Sequence, residues 1–257
     1  MISWGTKRKL KYILSLGFFF IFIAVVIAFL VIYERPNCSD GKQNSDEQGI
    51  DCGGSCSRVC SMSAADVRTN WVRTFKVKDG FYSVAAYLEN PNANYQAKNV
   101  SYKFRVYDSN NTLIAEPNGS AFIPAGQSFG IFEGGFYTGD RIPARALLEW
   151  QGKPAWTTAI SQNDLIVVKD VTRNTDDQGL PKISATVENK GLKAINNING
   201  FVVVYDNLGN AIAASQTLID QVKGGDMEIM VFSWPAPFSD QIGRVEILRW
   251  IAPSIFN

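Results

Sequence analysis

Tyr102-Lys103-Phe104-Arg105-Val106-Tyr107-Asp108 decides the architecture of this chain, together with Val202-Val203-Val204-Tyr205-Asp206, which echoes its last five residues. In the first stretch Tyr102, Phe104 and Val106 alternate with Lys103, Arg105 and Tyr107, the period of two expected of a strand with one buried face. Turn-forming residues follow both stretches, Asp108-Ser109-Asn110-Asn111 and Asp206-Asn207-Leu208-Gly209-Asn210, each leading into a further short apolar run.

Working outward, the match extends along the chain with a period close to 99 residues. Leu88-Glu89-Asn90 is answered by Val187-Glu188-Asn189, Ile114-Ala115 by Ile212-Ala213, Gly126 by Gly224 and Phe136 by Trp234. Leu147-Leu148-Glu149-Trp150 is set against Ile247-Leu248-Arg249-Trp250. Two tandem domains are expected, 63–156 and 157–257, joined near Gly152-Lys153-Pro154. Each holds seven or so short strands and no amphipathic helical stretch, which predicts antiparallel β-sandwiches. Gly134-Gly135 within an aromatic strand predicts a bulge.

The segment from Asn90 through Tyr107-Asp108 to the Gly126 turn resembles the FxLYD-type and related immunoglobulin-like sandwiches of bacterial envelope proteins. The core motif is degenerate here: Phe104-Arg105-Val106-Tyr107-Asp108 in one copy, and Val202-Val203-Val204-Tyr205-Asp206 in the other, without the leading Phe in register. The resemblance implies a non-catalytic envelope module.

N-terminal to these domains, residues 34–62 hold all four cysteines, Cys38, Cys52, Cys56 and Cys60. The segment has too few apolar residues for a core, so two disulfides are expected to order it. Three connectivities are open. A four-cysteine metal site is the rival reading, disfavoured by the C-x3-C-x3-C spacing. Asp40, Asn44, Asp46, Glu47 and Asp51 lie on glycine-rich turns between the cysteines. Their oxygens suit calcium, and they equally suit turn capping by side chain to backbone hydrogen bonds. The string DGKQNSDEQGIDCGGSC resembles a cysteine-rich module, DGxxNxxExxxDCGGxC, of secreted and surface proteins. That resemblance implies an extracellular setting and no activity.

Residues 13–33, ILSLGFFFIFIAVVIAFLVIY, would rise about 31 Å as a helix, close to the hydrocarbon thickness of a bilayer. Lys7, Arg8, Lys9 and Lys11 in the basic tail 1–12 precede the span, whereas Glu34 and Arg35 follow it. The positive-inside rule then puts the N-terminus in the cytoplasm and the ectodomain outside. No A-x-A-like cleavage site follows, so an uncleaved single-pass anchor is expected rather than a signal peptide.

The chemistry the sequence excludes is broad. Without histidine there is no Ser-His-Asp triad, imidazole base or His-containing metal site. With a net charge of +1 and no basic stripe, nucleic-acid binding is not expected. Paired carboxylates could serve a glycosidase, but Glu89/Glu188 and Asp108/Asp206 recur once per copy, as turn or cap residues would. No catalytic residues and no cofactor are assigned beyond the calcium reading. The aromatics Phe129, Phe132, Phe136, Tyr137 and Trp150 are read first as sandwich core, and second as stacking surfaces for sugars or peptides. The resulting expectation is a mainly β, membrane-anchored interaction protein with an envelope protein partner. Homo-oligomers are open to it, and a carbohydrate- or peptide-binding receptor is the alternative.

Overall fold

The computed structural model describes residues 4–32, 37–60, 64–159 and 163–253. The chain forms two compact units, Met1–Cys56 and Ser57–Asn257. The expected end of the span at Tyr33, the residues Glu34 and Arg35, and the boundary near 62 all lie outside the described residues.

In the first unit, helix α1 covers Trp4–Ile32. It begins nine residues before the apolar run, where the good helix formers Lys7, Arg8, Lys9, Leu10 and Lys11 outweigh Gly5 and Thr6. The stretch Lys11–Ala28 is long and apolar enough to cross a membrane, and none of it is buried by the rest of the chain. The cysteine segment contains turns and an isolated bridge, Gly49 to Cys52, while Arg58, which belongs to the second unit, bridges Thr157. Cys38 and Cys56 form a disulfide with a Cα–Cα distance of 5.6 Å. Cys52, and Cys60 in the opening residues of the second unit, are disulfide-bonded as well, and no cysteine is free.

The second unit is built of antiparallel sheets. Strands β1 (Arg68–Lys78), β2 (Phe81–Glu89) and β6 (Ser128–Tyr137) form one, in the order β1-β2-β6. Against it lies a five-stranded sheet centred on β3 (Tyr95–Tyr107), which pairs with β4 (Leu113–Ala115), β5 (Asn118–Ile123), β7 (Arg145–Trp150) and β8 (Trp156–Thr158). Further on, β12 (Ala211–Val222), β11 (Ile195–Tyr205) and β14 (Arg244–Ile251) make a third sheet. The fourth runs β13 (Met227–Ser233), β10 (Pro181–Asn189) and β9 (Ile166–Thr175). Among the described residues of this unit, the sole helical turn is the 3-10 turn Asn163–Leu165.

Two apolar clusters hold these sheets together, and the third sheet contributes to both. Val202, Val204 and Ile198 of β11 pack with Ile183, Val187, Met230 and Phe232 of the fourth sheet. The opposite face of β11, Phe201, Val203 and Tyr205, joins Phe129 and Ile131 of β6, and with them Phe104 and Val106 of β3. Phe201 through Tyr205 are therefore buried without a break, the signature of a strand covered on both faces. The four sheets stack in the order β3, β2, β11, β10, named by their central strands. By contrast, on β3 the residues Phe104 and Val106 are fully buried while Lys103 and Arg105 are half-buried on the outer face.

At the centre of this stack is Gly130. A Cβ built there would lie 2.1 Å from the Phe201 ring, so a strand glycine sets how closely two sheets approach. The expected bulge is present too. Tyr82 pairs Phe136 and Val84 pairs Glu133, leaving Gly134 and Gly135 opposite Ser83 alone, with Gly135 in the left-handed region.

Strand pairing changes one expected correspondence. Leu148 lies opposite Phe104, and Ile247 lies opposite Val202. Set by pairing, β7 and β14 therefore align one residue away from the Trp150–Trp250 match. A one-residue slip turns side chains to the opposite face. Trp150 accordingly meets Tyr102 edge-on, whereas Trp250 meets Phe129.

Candidate functional site

In the cysteine segment, the acidic side chains are engaged with nearby backbone and side-chain donors. Asp40 accepts from the Lys42 N–H at 2.9 Å and from Asn44 Nδ2 at 2.8 Å. Both oxygens of Asp51 accept from the Gly41 N–H, at 3.1 and 3.0 Å. Asp46 accepts from the Ser55 hydroxyl at 2.8 Å, and Glu47 from the Asn44 N–H at 3.1 Å. These bonds hold the Asp40 and Asp46 carboxyls below their ordinary range. The turn is tight: a Cβ at Gly54 would fall 2.2 Å from the Asp46 carbonyl oxygen.

Calcium requires six to eight converging oxygens. Among the described residues, no three carboxylates of this segment bring their oxygens within 4.8 Å of one another. The one close trio is Glu47 with Cys38 and Cys56. Both sulfurs of that trio are spent in the disulfide, and Glu47 Oε1 rests 3.3 Å from Cys56 Sγ. As arranged, these carboxylates are taken up by nearby backbone and side-chain donors, and among the described residues they do not converge on one point. The Asn44 side-chain oxygen is the exception, buried and without a hydrogen-bond partner.

The recurring carboxylates of the second unit have structural tasks. Asp108 Oδ1 accepts from the N–H groups of Asn110 and Thr112, both at 2.9 Å. Asp206 Oδ1 does the same for Leu208 and Asn210, at 2.9 and 2.7 Å. Glu89 pairs with Arg68 at 3.6 Å and Glu188 with Lys169 at 2.8 Å.

Two buried amides were missed by the sequence reading, which used Asn90 and Asn189 as markers only. Asn90 Nδ2 donates to the carbonyls of Tyr95 and Pro124, and its Oδ1 accepts from the Asn92 N–H. Asn189 Nδ2 donates to the carbonyls of Lys193 and Val222, and its Oδ1 accepts from the Gly191 N–H. Each amide ties the end of one strand to a turn and to the facing sheet. A motif asparagine directly after a strand, recurring at a fixed offset, was the available signal.

Between the stacked sheets is a polar node. Glu246 accepts from the hydroxyls of Tyr87 at 2.8 Å and Tyr205 at 3.2 Å, and from Arg244 Nη1 at 3.0 Å. Burial and the Glu246 carboxylate push the Tyr87 hydroxyl up to about 12. Tyr205 is raised by burial and the same charge.

Of the aromatics singled out in the sequence, Phe129 is fully buried and Phe132, Phe136 and Trp150 pack partly against the core. Tyr137 is 66% exposed and meets the Phe81 ring at 5.0 Å, tilted by 45°. A second, partly buried aromatic pair lies elsewhere. Trp234 and Phe238 meet edge to face at 5.0 Å beside a cavity of about 310 Å³, which is also lined by Phe75, Lys76, Lys78 and Ile212. Its loop, Trp234-Pro235-Ala236-Pro237-Phe238, follows β13, and the prolines hold it off the sheet.

No family model matches the chain, and no curated protein matches it. Among solved structures, the chain is similar to red sea bream transglutaminase at 12% identity, with a TM-score of 0.24. The match covers 73% of this chain, which spans 31% of the length of that structure.

Proposed function

We propose that this is a single-pass membrane protein whose extracytoplasmic part is a structural or interaction module, a scaffold or subunit of an envelope assembly. The observation that carries the reading is α1. From Lys11 to Ala28 its apolar surface finds no cover in the chain, and lipid is the solvent that removes this cost. Oxidised cysteines support an extracytoplasmic setting for the adjoining segment. The stacked sheets are taken as two immunoglobulin-like, FxLYD-type sandwiches in tandem, 63–156 and 157–257. In support, Asn90 and Asn189 make matching bonds, as do Asp108 and Asp206.

The test is applied to the full chain in its native membranes. Retention after carbonate washing, protease sensitivity from the outer side alone, and envelope proteins crosslinked at fixed stoichiometry are expected. Release by carbonate, or substrate turnover abolished by mutating one carboxylate, overturns the reading.

A second reading, a receptor for carbohydrate or peptide, is favoured by the Trp234–Phe238 cavity, whose volume falls at the low end for ligand sites. Binding on a glycan array that Trp234→Ala abolishes would support it, and silence across the array would count against it.

A further inference from the structure

The stack has two outer faces, and they differ. On the β3 sheet the outer face is charged: Arg105 lies 3.2 Å from Glu149, and Lys103 and Arg105 each lie 3.6 Å from Glu116. On the β10 sheet the outer face carries an apolar stripe. Met227, Ile229 and Val231 of β13 are 51%, 67% and 37% exposed. They sit opposite Glu188, Thr186 and Ser184 of β10, and directly opposed residues share a face.

The position of this stripe is informative. Leu88 pairs Phe129 on the β2 sheet, as Val187 pairs Glu228 on the β10 sheet. In that register Ile229 and Val231 stand where Gly130 and Phe132 stand. Gly130 is covered by Phe201 of the next sheet. The stripe is thus the counterpart of a face that the chain itself buries under another sheet.

We infer that the outer face of the β9–β10–β13 sheet pairs with the same face of a second copy of this chain, a proposal that rests on the membrane-anchored reading above. Head-to-tail stacking between copies would press the stripe onto Lys103, Arg105 and Glu149, desolvating their ion pairs. Same-face contact avoids this and closes as a two-fold dimer. On the polar part of the face Lys169 and Glu188 pair at 2.8 Å, and Lys182 of β10 adds a second cation opposite Ser233. A two-fold contact can set each copy's cation against the other's anion. Seven residues of β13 and three strands span about 23 Å by about 14 Å. That footprint is small beside the roughly 800 Å² per partner of a standard interface. Pairing is therefore weak in dilute solution and is populated when anchoring confines the copies to one plane.

The test places a photo-crosslinking residue at position 229, or at position 147 on the charged face, of the full chain in its native membranes. An adduct of twice the chain mass from position 229, absent from position 147, is expected. Val231→Lys should reduce its yield at least tenfold while leaving the melting temperature unchanged. No adduct from position 229, equal yields from both positions, or an adduct of any other mass overturns the pairing. An adduct with a different protein leaves the interaction-protein reading standing. Loss of the chain on carbonate washing of the same membranes would overturn that reading separately.

Discussion

Gly130 of β6 lies flat beneath the ring of Phe201 of β11, so close that a Cβ at position 130 would fall 2.1 Å from the ring. Gly130→Ala is therefore expected to destabilise the second unit by roughly 1–3 kcal/mol through overpacking. Gly130→Ala with Phe201→Leu should recover part of that loss, because a smaller side chain opens the space. Denaturant melts of the two variants and of Phe201→Leu alone check this coupling.

Asn189 is fully buried with three hydrogen bonds to backbone groups. Asn189→Ala leaves two carbonyls and one N–H without the amide, at a cost of roughly 2–4 kcal/mol. Asn90→Ala should cost a similar amount, since Asn90 bonds in the same pattern. Near-equal drops in denaturation midpoint for the two variants are the expected result. A drop for one alone would separate their roles.

Oxidation of the cysteine segment is checked by mass. All four cysteines should resist iodoacetamide in the unreduced protein and accept four labels after reduction. Closing the 18-residue separation between Cys38 and Cys56 contributes about 3 kcal/mol on the chain-entropy account. Reduction should thus unfold the segment while the strands of the second unit, which contain no cysteine, keep their circular dichroism.

Alkaline titration reads the polar node. Tyr87 titrates near 10 when unfolded and at about 12 when folded, so the folded state holds its proton more tightly. The associated stability is complete below pH 10 and is lost as pH rises toward 12. Tyr87→Phe should flatten that part of the profile in denaturant melts taken between pH 9 and 12. An unchanged slope would show that other groups govern it.

Much of this architecture was legible in the sequence because strand alternation and turn chemistry are local. The bulge at Gly134-Gly135, the Asx turns at Asp108 and Asp206 and the long apolar helix all follow from neighbouring residues. What was not legible depends on which faces meet. Val202-Val203-Val204 answers Phe104-Arg105-Val106 in the sequence, yet the valine at the place of Arg105 marks the difference between a strand covered on both sides and one covered on one side. Trp150 and Trp250 matched as letters but face opposite ways, since pairing register and not spacing decides the side. In the cysteine segment, composition alone could not separate a calcium shell from turn capping. The two differ only in where the carboxylate oxygens point.

The sharing of β11 between both apolar clusters has a mechanical consequence. Residues 57–257 cannot come apart as two independently stable beads, because separation would bare Phe201, Val203, Tyr205 and Trp250 at once. The unit should melt in a single transition, and a cut in the loop at Gly152-Lys153 should release no soluble half. Whatever pulls on one end of this body is opposed by the whole of it.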